Sequence, residues 1–196
     1  MIYILTALVA LAGSCVQSSS GFGYAIICMA IWPMFMPFYT ASILEAIAAF
    51  FMVIYIAVKL WKFIDWKLLL PPVIMATVTS LLGVNTLMAL DEAVLSKIMG
   101  TVLLVLAVYF IFFSSKVHLK AGLVSGLAAG AVSVFLIHVF QGHVSGAMLP
   151  LVGAALAGTA VGTAVGMFLF RRLTMTGIKK VVYIFMMCAG SYLLLS

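Results

Sequence analysis

Residues 40–58 read TASILEAIAAFFMVIYIAV, carry one charged side chain, Glu45, and run into Lys59, Trp61, Lys62, Asp65, Trp66 and Lys67. At 1.5 Å rise per residue, a helix of about 20 apolar residues matches a hydrocarbon core about 30 Å thick. Tryptophan and lysine at its end are the residues that anchor a span at the interface and mark the cytoplasmic side. The stretch therefore predicts a transmembrane helix. The rest of the chain repeats its character: 67% of the 196 residues are hydrophobic, 7% are charged, and the mean hydropathy is +1.37. Soluble domains carry about a quarter charged residues, and no water-soluble fold hides this much apolar surface. At about 20 residues per span, the length admits at most about eight helices and no extramembrane domain.

Upstream of this stretch, Met1–Val16 and Phe22–Pro37 are apolar, and Gln17-Ser18-Ser19-Ser20-Gly21 between them predicts a broken element inside the membrane. Downstream lie apolar runs at Leu68–Leu90, Ile98–Phe113, Gly122–Val139, Met148–Phe170 and Val181–Leu195. Counting crossings places the basic loops at Lys59–Lys67, Lys116–Lys120 and Arg171–Lys180 on one side. Asp91, Glu92 and the amino terminus fall on the other, as the positive-inside rule requires. The start Met1-Ile2-Tyr3-Ile4-Leu5 lacks the basic region of a secretory signal, and Ala12-Gly13-Ser14-Cys15 is a poor lipoprotein box, so the first run is expected to be retained.

The order Pro71, Gly83, Lys97 recurs as Pro150, Gly162, Lys179, while Gly13, Gln17 and Ser20 line up with Gly126, Gly130 and Ser133 at a larger separation. The second half is thus shorter than the first, by an amount corresponding to much of Phe22–Lys62. Five crossings precede the midpoint, so the repeats are inverted, the arrangement that alternating access favours. The expected fold is an all-α membrane protein, a polytopic bundle of about 7–8 transmembrane segments. Residues 1–115 form the first repeat and 116–196 a second, incomplete one.

The net charge of +6 comes from short basic clusters between apolar runs, so it reads as topology signal and not as a nucleic-acid face. Cys15, Cys28 and Cys188 show no metal or redox spacing and read as packing residues. His138 and His143 flank a predicted loop without a third metal ligand and receive no role. Four acidic residues, two of them adjacent, supply neither a catalytic triad nor a carboxylate pair. No enzyme activity, metal or cofactor is expected. Gly153, Gly158, Gly162 and Gly166 have the small-residue spacing of close helix packing. Glu45, a carboxylate within a span, is a candidate for coupling transport to protons, or it reaches water near the outer end.

The run Gly13-Ser14-Cys15-Val16-Gln17-Ser18-Ser19-Ser20-Gly21-Phe22-Gly23, the proline boundary at Pro33 and the alanine-rich helix after it resemble the sulfite exporter TauE/SafE family of bacterial permeases. The ending resembles it too, with Gly162, Gly166, Arg171-Arg172-Leu173, Lys179-Lys180 and Gly190. Val134–Gln141 departs from that pattern, running on without a second glycine-rich, proline-containing turn. The resemblance implies a multi-pass permease of the bacterial plasma (inner) membrane that moves a small anion such as sulfite or a sulfonate. Irregular backbone at membrane depth must be sheltered, so the substrate-binding residues are read as Gln17, Ser18, Ser19, Ser20, Gly21, Phe22 and Gly23, matched by Ser133. The expected partners are the lipid bilayer and the small anionic substrate, with a homo-oligomer allowed and no nucleic acid. The alternative is a non-transporting membrane scaffold, or a truncated, inactive relative of the permease.

Overall fold

The computed structural model describes residues 1–20, 23–60, 74, 76–80, 82–85, 89–113, 134–135, 137–139, 146–169 and 175–195. Every regular element among the described residues is helical. They form α1 (Ile2–Ser20), α2 (Tyr24–Ile31), a 3-10 turn (Trp32–Met34), α3 (Phe38–Leu60), α4 (Glu92–Phe113), a second 3-10 turn (Gly146–Met148), α5 (Leu149–Leu169) and α6 (Met175–Leu195). Among the described residues, four stretches are long and apolar enough to cross a membrane: Ile2–Ser19, Phe38–Lys59, Glu92–Tyr109 and Leu149–Phe168. Tyr24–Met34 and Val182–Leu195 are apolar but shorter. About half of Leu68–Leu90 and most of Gly122–Val139 lie outside the described residues, as do the repeat anchors Gly126, Gly130 and Ser133.

The helices are apolar on their outer faces as well as in their core. Large apolar side chains recur on outer faces, among them Val94, Ile98, Val102, Val105 and Val108 on α4, while Thr6, Ser14, Ser19, Thr159 and Thr163 are buried. Lipid is the solvent that accepts such a surface. The Nζ of Lys59 sits 5.0 Å over the ring of Tyr55, a cation–aromatic pair at the end of α3 suited to the headgroup level.

Helix boundaries follow local chemistry. α4 begins earlier than its apolar run because the Asp91 carbonyl accepts the Leu95 N–H at 3.0 Å and Glu92 occupies the first turn, where the helix dipole favours negative charge. α3 opens on Pro37, whose carbonyl accepts the Ala41 N–H at 3.0 Å. α1 runs past Val16, where the apolar run was expected to break, through Ser20. The reason is that Ser18 donates to the Ser14 carbonyl at 2.7 Å and Ser19 to the Cys15 carbonyl at 2.8 Å. Serine hydroxyls that bond back to their own helix satisfy themselves without water, so they do not end it.

Two glycine seams hold the bundle. A Cβ on Gly158 would overlap the Ala7 carbonyl oxygen, one on Gly162 the Leu11 carbonyl and the Ser14 hydroxyl, and one on Gly166 the Cys15 carbonyl. The pairing advances four residues at a time on both helices, so α1 and α5 run parallel with their backbones in contact, the geometry that small residues permit. Gly153 meets nothing within 4 Å and takes no part. On the other side, a Cβ on Gly100 would come within 2.9 Å of the Gly190 carbonyl oxygen, and the reverse also holds. Gly100 further faces Leu193 and Leu194 while Gly190 faces Leu103 and Leu104, so α4 and α6 run antiparallel. Both relative directions match those of the crossing count.

Candidate functional site

The chain reverses direction between α1 and α2. Gly23, at the N-cap of α2, has φ 118° and ψ −10°, a left-handed conformation open to glycine and costly for most other residues. Gln17 closes the turn: its Oε1 accepts the Tyr24 N–H at 3.0 Å, across the break. α2 then returns along α1, with Gly23 beside Val16 and the Tyr24 ring and Cys28 Sγ each 3.2 Å from where a Gly13 Cβ would stand. Its N-terminus, the positive end of the helix dipole, points back at the turn.

Of the residues expected to bind substrate, Gln17, Ser18, Ser19, Ser20 and Gly23 gather at this turn. Gly21, Phe22 and Ser133 lie outside the described residues. The turn is sheltered, since Ser19 is 4% exposed, Gly23 is buried and Ser18 is half-buried. Its depth differs from the expected one. α1 is about 28 Å long at 1.5 Å per residue, and with Cys15 opposite Gly166 it ends within about 3 Å of the end of α5 along the axis. The break therefore stands at one end of two full-length spans and not at mid-depth. The hydroxyl protons of Ser18 and Ser19 are also committed to α1 carbonyls, so among the described residues the donors this turn has to offer are backbone N–H groups and the Gln17 side-chain NH2.

The middle of the bundle holds a second polar group that sequence reading did not assemble. The Tyr24 hydroxyl and Thr159 Oγ1 lie 3.0 Å apart, both buried, joining α2 to α5. Thr163 stands one turn along α5 from Thr159, so the two share a face. From α3, Glu45 lies among Ala41, Leu44 and Ala48, which share a packed core with Tyr24 and Cys28. Every residue from Ala41 to Ala49 is buried except Glu45, which retains accessible surface. That stretch exceeds two helical turns and covers all faces, so α3 is enclosed by other elements on every side around Glu45. Among the described residues no cation pairs with Glu45. The signal for this group was present as Thr159 and Thr163 interleaved with Gly158 and Gly162: threonines beside a helix-packing seam point inward.

His138 was expected at the edge of a loop, within the apolar run Gly122–Val139. It lies in helical backbone, fully buried, with its ring edge-on to Tyr39 at 6.1 Å between centroids. Phe135 stacks on Phe50 at 4.0 Å, which sets this segment against α3. His143 lies outside the described residues.

Removing the Tyr24–Thr159 contact is expected to have a small, measurable effect. Hydrogen bonds between membrane helices average about 0.6 kcal/mol in double-mutant cycles, and Tyr24→Phe combined with Thr159→Val should show coupling of that order in unfolding measurements. Strict additivity of the two substitutions would mean the hydroxyls do not meet.

Apolar helices with lipid-facing outer surfaces, a packed core that takes in a few buried hydroxyls, and a carboxylate within a span are the features of a helical membrane protein. The family model described as Sulfite exporter TauE/SafE matches residues 5–136 of the 196-residue chain. The chain belongs to that family, which is a family of transporters and not of enzymes. The match stops where Val134–Gln141 departs from the family pattern. No curated protein and no solved structure matches the chain.

Proposed function

We propose that the protein is a permease that carries a small sulfur-containing or organic anion, sulfite or a sulfonate, across the bacterial plasma membrane. The observation that carries this reading is the polar group around Glu45, enclosed by α1, α2, α3 and α5 of a TauE/SafE family chain. Residues 17–23 form one mouth of the path, where the amides at the positive end of α2 draw the anion in. Ser133 is the contribution of the second, inverted half. An anion and an ionised Glu45 repel each other at short range in a medium of low dielectric constant. The anion is therefore accepted while Glu45 holds a proton, and the two cross together, in the direction set by their gradients.

The sulfur preference is tested by competition. Uptake of radiolabelled sulfite into proteoliposomes should fall when unlabelled methanesulfonate is added and stay unchanged with an equal concentration of chloride. Equal inhibition by both anions would remove the sulfur preference from the reading.

A further inference from the structure

Polar side chains in this bundle are satisfied locally almost wherever they can be followed. Thr6 donates to the Ile2 carbonyl at 2.9 Å, Ser18 and Ser19 bond back to α1, and Thr159 is taken by Tyr24. Among the described residues, the buried groups that break this pattern include Trp32 Nε1, on a residue 0% exposed, and Thr163 Oγ1, on a residue 2% exposed, which have no hydrogen-bond partner. A buried donor without an acceptor is costly, and such a group calls for a ligand or an ordered molecule to complete it.

Trp32 is held for this purpose by its backbone. Its N–H donates to the Cys28 carbonyl, and its own carbonyl accepts the Phe35 and Met36 N–H groups at 3.1 and 3.0 Å. The residue is pinned at the end of α2, and the indole N–H is the polar atom left over. Thr163 could have bonded back to α5 as the serines do to α1, and it does not. Trp32 packs in the core with residues of α1, α2 and α3, and Thr163 is buried on α5 one turn from Thr159, whose hydroxyl meets Tyr24 of α2. Helix pairing places Trp32 level with Ala7 and Thr163 level with residue 12 of α1, a separation of about 7 Å along the axis.

The indole N–H is a donor with no acceptor capacity, and the threonine hydroxyl can also donate. We infer that Trp32 Nε1–H and Thr163 Oγ1–H are the contacts that hold the anion inside the core, selecting a ligand whose oxygens accept hydrogen bonds. This assignment rests on the transport reading above and adds to it two specificity residues on different helices. Neither donor carries charge, so an anion bound to them can leave again, as transport requires.

Trp32→Phe keeps the ring and removes the N–H, and Thr163→Val keeps the shape and removes the hydroxyl. Each should raise the KM for sulfite flux about tenfold, the loss of one hydrogen bond to a charged acceptor, with kcat less affected. Thr163→Ser should restore the original KM. Binding is read separately in a Trp61→Phe, Trp66→Phe background, where Trp32 is the remaining tryptophan: adding sodium sulfite should shift its emission. This second measurement decides the matter if Trp32→Phe does not fold. Unchanged KM in Thr163→Val, or emission indifferent to sulfite in a protein that still transports it, would overturn the assignment and leave the permease reading intact. Absence of flux in the unsubstituted protein would instead remove the permease reading, and this assignment with it.

Discussion

Gly162→Leu is expected to abolish folded, monodisperse protein in detergent, while Gly153→Leu on the same helix leaves it unchanged. The first side chain would enter space already filled by the Leu11 carbonyl and the Ser14 hydroxyl, whereas the second meets nothing within 4 Å. Overpacking typically costs about 1–3 kcal/mol when side chains can yield. Here a helix backbone is the obstacle, and α1 would have to separate from α5 along the whole seam from Gly158 to Gly166. Thermal unfolding followed by size-exclusion chromatography checks the pair. Equal stability of the two variants would show that α1 and α5 do not meet through these glycines.

Glu45→Gln should have the largest functional effect short of unfolding. Glutamine keeps the size and polarity of the side chain and cannot release a proton. If the anion crosses only with a proton on Glu45, the unsubstituted protein slows as pH rises. The slope approaches about tenfold per pH unit where the carboxyl is mostly ionised, because each unit lowers the protonated fraction tenfold. The glutamine variant, neutral at every pH, should transport at a rate that no longer depends on pH. Initial rates of sulfite uptake with matched pH on both sides check this. A glutamine variant with the same pH slope would assign the proton to another group.

The four spans among the described residues were legible because lipid leaves so few options: a long apolar run such as 40–58 must be a helix to satisfy its own backbone. The close packing of Gly158, Gly162 and Gly166 was legible for a related reason, since only four-residue spacing keeps glycines on one helix face. Gly153 is five residues from Gly158, which turns it about 140° away, and the common spacing rule read it wrongly. The end of α1 was misjudged because serine was treated as a helix breaker, a habit from water that fails where Ser18 and Ser19 bond to their own carbonyls. That error also moved the break to mid-depth. Glu45 stood out as a charge in a span and Thr159 and Thr163 lie beside the glycine seam, but Trp32 and Tyr24 are unremarkable letters in apolar sequence. Their meaning depends on which helices meet, and pairing across 135 residues, as between Tyr24 and Thr159, leaves no local trace.

The account stands or falls on movement of an anion through the bundle. Purified protein in sealed liposomes, given radiolabelled sulfite or methanesulfonate outside, should accumulate label faster than protein-free liposomes of the same lipid, and should saturate with concentration. Uptake no faster than in the empty vesicles for both anions would contradict it, and would leave a membrane scaffold as the reading of this chain.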